Sequence, residues 1–144
     1  MRVMVMIKAT KNSEAGQMPP AELLTAMGRY NEELVQAGVL VGGDGLHPSS
    51  RGKRVRSAGG RKTVVDGPFT PVGSLVAGFW LWQVRSMDEA VAWAERCPDA
   101  MPGEDWELEI RPIFSAEDFG AAYTPEVKAQ EDRIRAELER QQGK

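Results

Sequence analysis

Two side chains of this sequence could exchange protons with a bound molecule, and both lie next to turn-forming residues. Asp66 ends a β-prone run and is followed by Gly67 and Pro68. Its carboxylate either accepts hydrogen bonds from turn amides or projects into a cleft as a general base. His47 is the only histidine and lies in a glycine-rich loop. Because an imidazole titrates near neutrality, His47 is the second candidate for proton transfer, and an ordinary solvent-exposed loop histidine is the alternative.

Three further polar side chains fall within predicted helices or strands. Tyr30 lies on the buried stripe of the first predicted helix, where its hydroxyl needs a partner in the core or on a ligand. Arg56 and Arg111 lie within predicted strands, where an inward-pointing guanidinium requires an anion. Glu109 shares a strand face with Arg111 and is its alternative partner. Tyr30, Arg56 and Arg111 are therefore the candidate ligand-binding residues.

Metal and cofactor chemistry have little support in the sequence. Its single histidine, its single cysteine and its scattered carboxylates do not form a set of three or four ligands, so we expect no metal and no cofactor. Cys97 stands before Pro98 at the end of a predicted helix and is interpreted as a small buried residue. The Gly-Gly-Asp-Gly run at residues 42–45 has no following lysine and is not a phosphate-binding loop.

Composition narrows the range of partners. The chain has 144 residues, a formal net charge of −3 and eighteen Lys and Arg residues spread along it. We therefore expect one main domain and no nucleic-acid partner. The longest apolar run is too short for a membrane helix, and the first residues read as a strand without a cleavable signal, so we expect no membrane contact and a cytoplasmic location.

The order of predicted elements indicates an α+β fold. Residues 2–8 form a strand, a helix and a second strand follow, and residues 53–65 form a hairpin joined by a glycine pair. A central strand, a second helix and a last strand complete the series. Without the hairpin the order is βαββαβ, which is the ferredoxin-like order. We predict this domain over residues 1–120 and a charged helical tail over residues 121–144.

The central predicted strand is apolar on both faces. From Leu75 to Val84, the alternating positions carry Leu75, Ala77, Phe79 and Leu81 on one face and Val76, Trp80, Trp82 and Val84 on the other. Helices of a ferredoxin-like fold cover only one face of the sheet. The sequence therefore predicts a homodimer in which a second subunit covers the other face.

The Asp66-Gly67-Pro68-Phe69 motif and the central strand after it resemble the Asp-Gly-Pro-Phe ("DGPF") branch of the YCII-related family, which consists of small bacterial proteins. The resemblance implies a ferredoxin-like fold that pairs into a dimeric α/β barrel. Relatives with this barrel include lactone isomerases and monooxygenases that need no metal. Members of the branch are often associated with alternative sigma factors.

The resemblance also implies one departure from the wider family. Many YCII-related proteins outside the branch have a histidine in the first helix as part of a His-Asp site, and the corresponding place here falls near Met27. Two function classes remain. The first is a small-molecule binder, or a cofactor-independent enzyme with acid-base chemistry, that uses a cleft between the sheet and the hairpin with Asp66 and His47 at its mouth. The alternative is a non-catalytic dimeric interaction or regulatory module linked to a sigma factor.

Overall fold

The structure is a computed structural model that describes residues 1–99 and 103–143. In these residues the strands are β1 Arg2–Lys8, β2 Leu40–Gly45, β3 Lys53–Ala58, β4 Arg61–Asp66, β5 Val76–Gln83 and β6 Leu108–Pro112. The helices are α1 Lys11–Glu14, α2 Ala21–Gln36, α3 Met87–Ala94 and α4 Pro125–Gln142. Short 3-10 segments lie at Ser49–Arg51, Val72–Ser74 and Ala116–Ala122.

Four strands form one antiparallel sheet in the order β2-β5-β1-β6. In the register of the two inner strands, Val5 of β1 lies opposite Trp80 of β5, and on its other side it lies opposite Ile110 of β6. α2 connects β1 to β2 across β5, and α3 connects β5 to β6 across β1. This arrangement is α+β and is consistent with the predicted ferredoxin-like fold.

The core lies between one face of the sheet and helices α2 and α3. Val3 and Val5 of β1 are fully buried, as is Trp82 of β5. They form one cluster with Leu34 of α2 and Ala90 of α3, both also fully buried. The alternation seen in the sequence therefore directs every second side chain of the central strands into this cluster.

The opposite face of the sheet is also apolar. Met4 and Met6 of β1 lie directly across from Leu81 and Phe79 of β5, and all four side chains are partly exposed. Because successive strand residues point to opposite faces, these four lie away from the core cluster. We call Met4, Met6, Phe79 and Leu81 the open face.

Local signals explain the helix ends. Gly38 has φ +73°, and the backbone N–H of Val39 donates to the carbonyl of Leu34 at 2.9 Å, so α2 ends at a glycine in the left-handed region. At the start of α3, the Ser86 hydroxyl accepts from the Glu89 N–H at 3.2 Å. The Glu89 carboxylate itself forms an ion pair with Arg85.

β3 and β4 form a two-stranded antiparallel sheet of their own between β2 and β5 in the sequence. Gly59 and Gly60 connect them with φ of +56° and +78°. A two-residue connection with two positive φ angles matches the type I′ turn, whose twist suits a hairpin and which residues with a Cβ rarely adopt. This explains the glycine pair in the sequence.

The chain divides into two compact units, Met1–Ile113 and Phe114–Lys144. In the second unit, the Thr124 hydroxyl accepts from the Val127 N–H at 3.2 Å and caps α4. Ile134 and Leu138 of α4 are about half exposed, at 52% and 48%. The apolar stripe of this helix is therefore thin.

Candidate functional site

Asp66 ends β4 with its carboxylate in solvent. It lies opposite Lys53 in the hairpin register, and the Lys53 ammonium donates to Asp66 Oδ1 at 2.6 Å. The two side chains are 74% and 68% exposed. The carboxylate is thus engaged by a cross-strand cation at the base of the hairpin.

The motif residues after Asp66 fasten the hairpin to the 3-10 segment that follows β2. The Gly67 N–H donates to the Gly52 carbonyl at 3.0 Å. The Phe69 N–H donates to Ser49 Oγ at 2.9 Å, and the Ser49 N–H and hydroxyl donate to the two carboxylate oxygens of Glu14. Direct hydrogen bonds therefore join the motif, this segment and Glu14.

His47 lies in the exposed loop after β2. The Arg51 Nη1 atom is 3.1 Å from each ring nitrogen of His47. Both residues line a cavity of about 300 Å³ together with Glu14, whose carboxylate is already bound to Ser49. Asp66 does not line this cavity.

Tyr30 is buried in the core. Its hydroxyl donates to the Trp93 carbonyl at 2.6 Å, and its ring meets Trp80 edge-on with centroids 5.7 Å apart. Burial is the largest cause that raises the pKa of Tyr30 above the usual value of a phenol. Burial likewise raises the pKa of the Cys97 thiol to about 11, so both groups are neutral at pH 7.

The two strand arginines are exposed. Arg56 lies on β3, and the neighbouring Arg54 places its guanidinium 4.0 Å from the Phe69 ring centroid. Arg111 of β6 is 70% exposed and lies 3.3 Å from the Glu109 carboxylate, the partner that the strand face suggested.

The five residues selected from the sequence do not meet in one cavity. Tyr30 lies in the core and His47 in a loop, whereas Asp66 and Arg56 belong to the hairpin and Arg111 to an edge strand. Sequence position alone does not show this dispersion, because each prediction rests on the chemistry of a single residue.

A different cavity has the composition of a binding site. It has a volume of about 480 Å³ and lies between α2 and the sheet. α2 lines it with Leu23, Leu24 and Met27, and the strands add Ile7 and Leu40. We call this cavity the α2 cleft. Its lining is largely apolar, as in most small-molecule sites.

Asn31 supplies a polar group with a defined orientation in the α2 cleft. The Trp80 indole N–H donates to Asn31 Oδ1 at 3.0 Å, and both residues line the cleft. An indole N–H can only donate, so the oxygen of the amide must face Trp80. Within residues 1–99 and 103–143, no hydrogen bond uses the Asn31 NH₂ group.

Three glycines form the strand side of the α2 cleft. A Cβ at Gly43 would lie 2.5 Å from the Phe79 carbonyl oxygen, and one at Gly78 would lie 3.1 Å from the Asp44 carbonyl oxygen. These two glycines permit the close approach of β2 and β5. A Cβ at Gly45 would meet no atom within 4 Å, so Gly45 leaves open space there.

The sequence contained signals for this cleft. Asn31 lies four residues after Met27 and seven after Leu24, which places a polar side chain on an apolar helix face. The glycines of β2 are unusual for a strand, because glycine weakens strand interiors. Neither signal names a partner, since the Trp80 contact spans 49 positions of sequence.

The described residues offer neither a metal site nor a membrane-spanning helix. In residues 1–99 and 103–143, no group of three or more His, Cys, Asp or Glu side chains could hold a metal ion. None of the helices described is both long enough and apolar enough to cross a membrane.

Comparison with known proteins decides the family. The family described as YCII-related domain matches residues 1–114. The chain belongs to the YCII-related family. It is also similar to an uncharacterized protein of Rhizobium meliloti (strain 1021), with 33% identity over 79 residues, 55% of this chain. The match covers 63% of that relative's length.

The YCII-related match includes every strand of the four-stranded sheet and all of the α2 cleft, and it ends before α4. The place near Met27, which the resemblance associates with the histidine of many YCII-related proteins, lies at this cleft because Met27 lines it. Methionine cannot transfer a proton, so the cleft of this member offers no acid or base at that position.

The exposed ion pair of Asp66 makes a first prediction. Asp66→Asn should lower the free energy of unfolding by less than about 1 kcal/mol, because exposed salt bridges contribute little. Lys53→Gln should have a similar effect, and the double variant should cost no more than the two single changes combined. Urea denaturation measures all three. A loss above about 2 kcal/mol for Asp66→Asn alone would mean that the carboxylate stabilises something other than Lys53.

Proposed function

We propose that this YCII-related protein binds a small molecule in the α2 cleft. The observation that carries the proposal is an apolar cleft of about 480 Å³ with one oriented polar group, Asn31. Such a combination gives affinity through buried apolar area and specificity through a single hydrogen bond. The proposal does not include acid-base catalysis by Asp66 and His47.

The proposal leaves out acid-base catalysis because of the surroundings of Asp66 and His47. A general base must lie within hydrogen-bond reach of the proton that it removes. Asp66 is paired with Lys53, His47 lies beside Arg51, and both are exposed. Neither residue lines the α2 cleft. Ligand binding without these two residues therefore has the better physical support.

The test is a substitution that places a larger side chain in the α2 cleft. Gly45→Leu places a side chain into open space at the cleft without a clash with the protein, so it should leave folding intact and exclude the ligand. A metabolite screen by thermal shift first identifies compounds that raise the melting temperature of the unmodified protein. We expect Gly45→Leu to weaken binding, so that the same rise in melting temperature requires at least a tenfold higher concentration of such a compound.

Gly73→Leu is the matched control. Gly73 is exposed, a Cβ there meets no atom within 4 Å, and the residue does not line the α2 cleft. This variant should bind the same compound as the unmodified protein does. If compounds are found and Gly45→Leu binds them unchanged, the α2 cleft is not their site.

We further propose that the protein is a homodimer of the dimeric α/β-barrel type and a member of the Asp-Gly-Pro-Phe branch. The open face supports the dimer, because four large apolar side chains there remain partly exposed in the single chain. A second sheet packed on them would remove apolar area from water.

A second candidate function is a non-catalytic interaction or regulatory module, linked to an alternative sigma factor as the resemblance implies. The exposure of both His47 and Asp66 favours it over an acid-base enzyme. A metabolite screen without a single stabilising compound, together with a stable dimer, would favour this second function over the first.

A further inference from the structure

We infer that the ligand of the α2 cleft is a flat, neutral, mostly apolar compound that presents a hydrogen-bond acceptor such as a ketone or amide carbonyl to Asn31. The inference rests on the proposed function and adds the chemical class of the ligand. Three features of the cleft support it, namely the orientation of one amide, the charge of the lining and the bare backbone of one wall.

The orientation of the Asn31 amide indicates a ligand that accepts a hydrogen bond. Trp80 is 6% exposed, and its indole N–H occupies the Asn31 oxygen at 3.0 Å. Rotating the amide by half a turn would set two donors against each other, so the orientation is locked. The NH₂ group is the polar end without a partner among the described residues, and it can only donate. A ligand that satisfies this group must therefore accept.

The charge of the lining favours a neutral acceptor. Among the described residues that line the α2 cleft, none is a lysine or an arginine, and Asp44 is the one charged residue. A carboxylate or phosphate would enter without a cation beside it and would meet the field of Asp44. Burying an unpaired anion costs far more than burying a carbonyl that receives a hydrogen bond.

The strand wall favours a flat ligand. Gly43, Gly45 and Gly78 expose backbone to the cleft, and the adjoining Trp80 adds an aromatic ring. A planar ring can stack on the indole or meet it edge-on, and the bare glycine backbone lets such a ring approach closely.

Three small probes separate these properties. Acetophenone is flat and neutral with a carbonyl acceptor, ethylbenzene has the same shape without the acceptor, and benzoate replaces the ketone with an anion. Titrations by ¹H–¹⁵N NMR report binding through the Trp80 indole N–H and the amides of Gly43 and Gly45. Acetophenone and ethylbenzene are each compared with themselves across protein variants, so that differences in their own hydration cancel, whereas benzoate is compared with acetophenone on the unmodified protein.

The variant Asn31→Asp keeps an oxygen for Trp80 and removes the NH₂ donor. At pH 8, where the new carboxyl is ionised, we expect acetophenone to bind about threefold to tenfold more weakly, as for the loss of one neutral hydrogen bond. The affinity for ethylbenzene should change by less than about twofold between the same two proteins. Asn12→Asp makes the same change outside the cleft and should affect neither probe. Benzoate should bind the unmodified protein at least tenfold more weakly than acetophenone.

The outcomes distinguish a wrong ligand class from a wrong binding site. If acetophenone and ethylbenzene both bind and Asn31→Asp weakens them equally, or if benzoate binds best, the ligand class is wrong while the cleft remains a binding site. If no probe shifts the cleft resonances at millimolar concentration, both the inference and the proposed function are overturned. Should Asn31→Asp fail to fold, the double variant Asn31→Leu/Trp80→Phe removes both polar partners together, and the Gly43 and Gly45 amides then report the same comparison.

Discussion

Gly67→Ala is expected to lower the free energy of unfolding by about 3 kcal/mol, at the upper end of what overpacking costs. A Cβ at this position would lie 1.7 Å from the Ser49 carbonyl oxygen and 2.7 Å from the Ser49 carbonyl carbon. Both are backbone atoms, so a rotamer change cannot relieve the clash. The hairpin and the segment after β2 must separate, and the Gly67–Gly52 and Phe69–Ser49 hydrogen bonds are then strained or lost. Urea denaturation measures the loss.

The control for this variant is Gly73→Ala. A Cβ at Gly73 meets no atom within 4 Å, so the change should shift stability by less than about 1 kcal/mol. If Gly67→Ala is as stable as the unmodified protein, the close contact between the motif and Ser49 is not made in solution. A structural role for Gly67 would then have no support.

Leu81→Glu is expected to convert the proposed dimer into a monomer. Leu81 lies on the open face opposite Met4, and in a symmetric dimer the substitution introduces two carboxylates into the covered sheet face. A buried charge without a partner costs several kcal/mol, so the dissociation constant should rise by at least about a thousandfold. Sedimentation at micromolar concentration distinguishes the two states.

Val55→Glu is the matched control for Leu81→Glu. Val55 lies on the hairpin, is 68% exposed and does not belong to the four-stranded sheet. The same apolar-to-acidic change there should leave the dimer intact. A monomeric unmodified protein at micromolar concentration would refute the dimer itself, and an intact dimer in Leu81→Glu would mean that another surface forms it.

The sequence alone could not predict which face of the sheet packs against the helices. Alternation along β5 established that both faces are apolar, but the two faces look equivalent in the sequence. The structure places Trp80 and Trp82 against the helices and leaves Phe79 and Leu81 on the open face. A one-residue shift of register would exchange the two faces, so the pairing of β5 with β1 and β2 decides this.

The Asp-Gly-Pro-Phe motif is a second example. Its residues indicated the family, which the match over residues 1–114 shows. Their individual contacts required the fold, because Asp66 meets a residue 13 positions away and Phe69 meets one 20 positions away. Position 67 requires glycine because the backbone of Ser49 lies against it, and no local sequence pattern connects these two residues.

The sequence by itself indicated the strands and helices α2, α3 and α4, but not the short α1, because apolar alternation, helical spacing and caps act between near neighbours. It also supplied the residue types from which a site could be built. Only the tertiary structure decided which of them share a cavity. Asn31 and Trp80 lie 49 positions apart and meet only because α2 packs on the sheet beside β5, whereas His47 and Asp66 point to solvent. Contacts of this kind depend on the relative placement of whole elements, which short-range patterns in the chain do not encode.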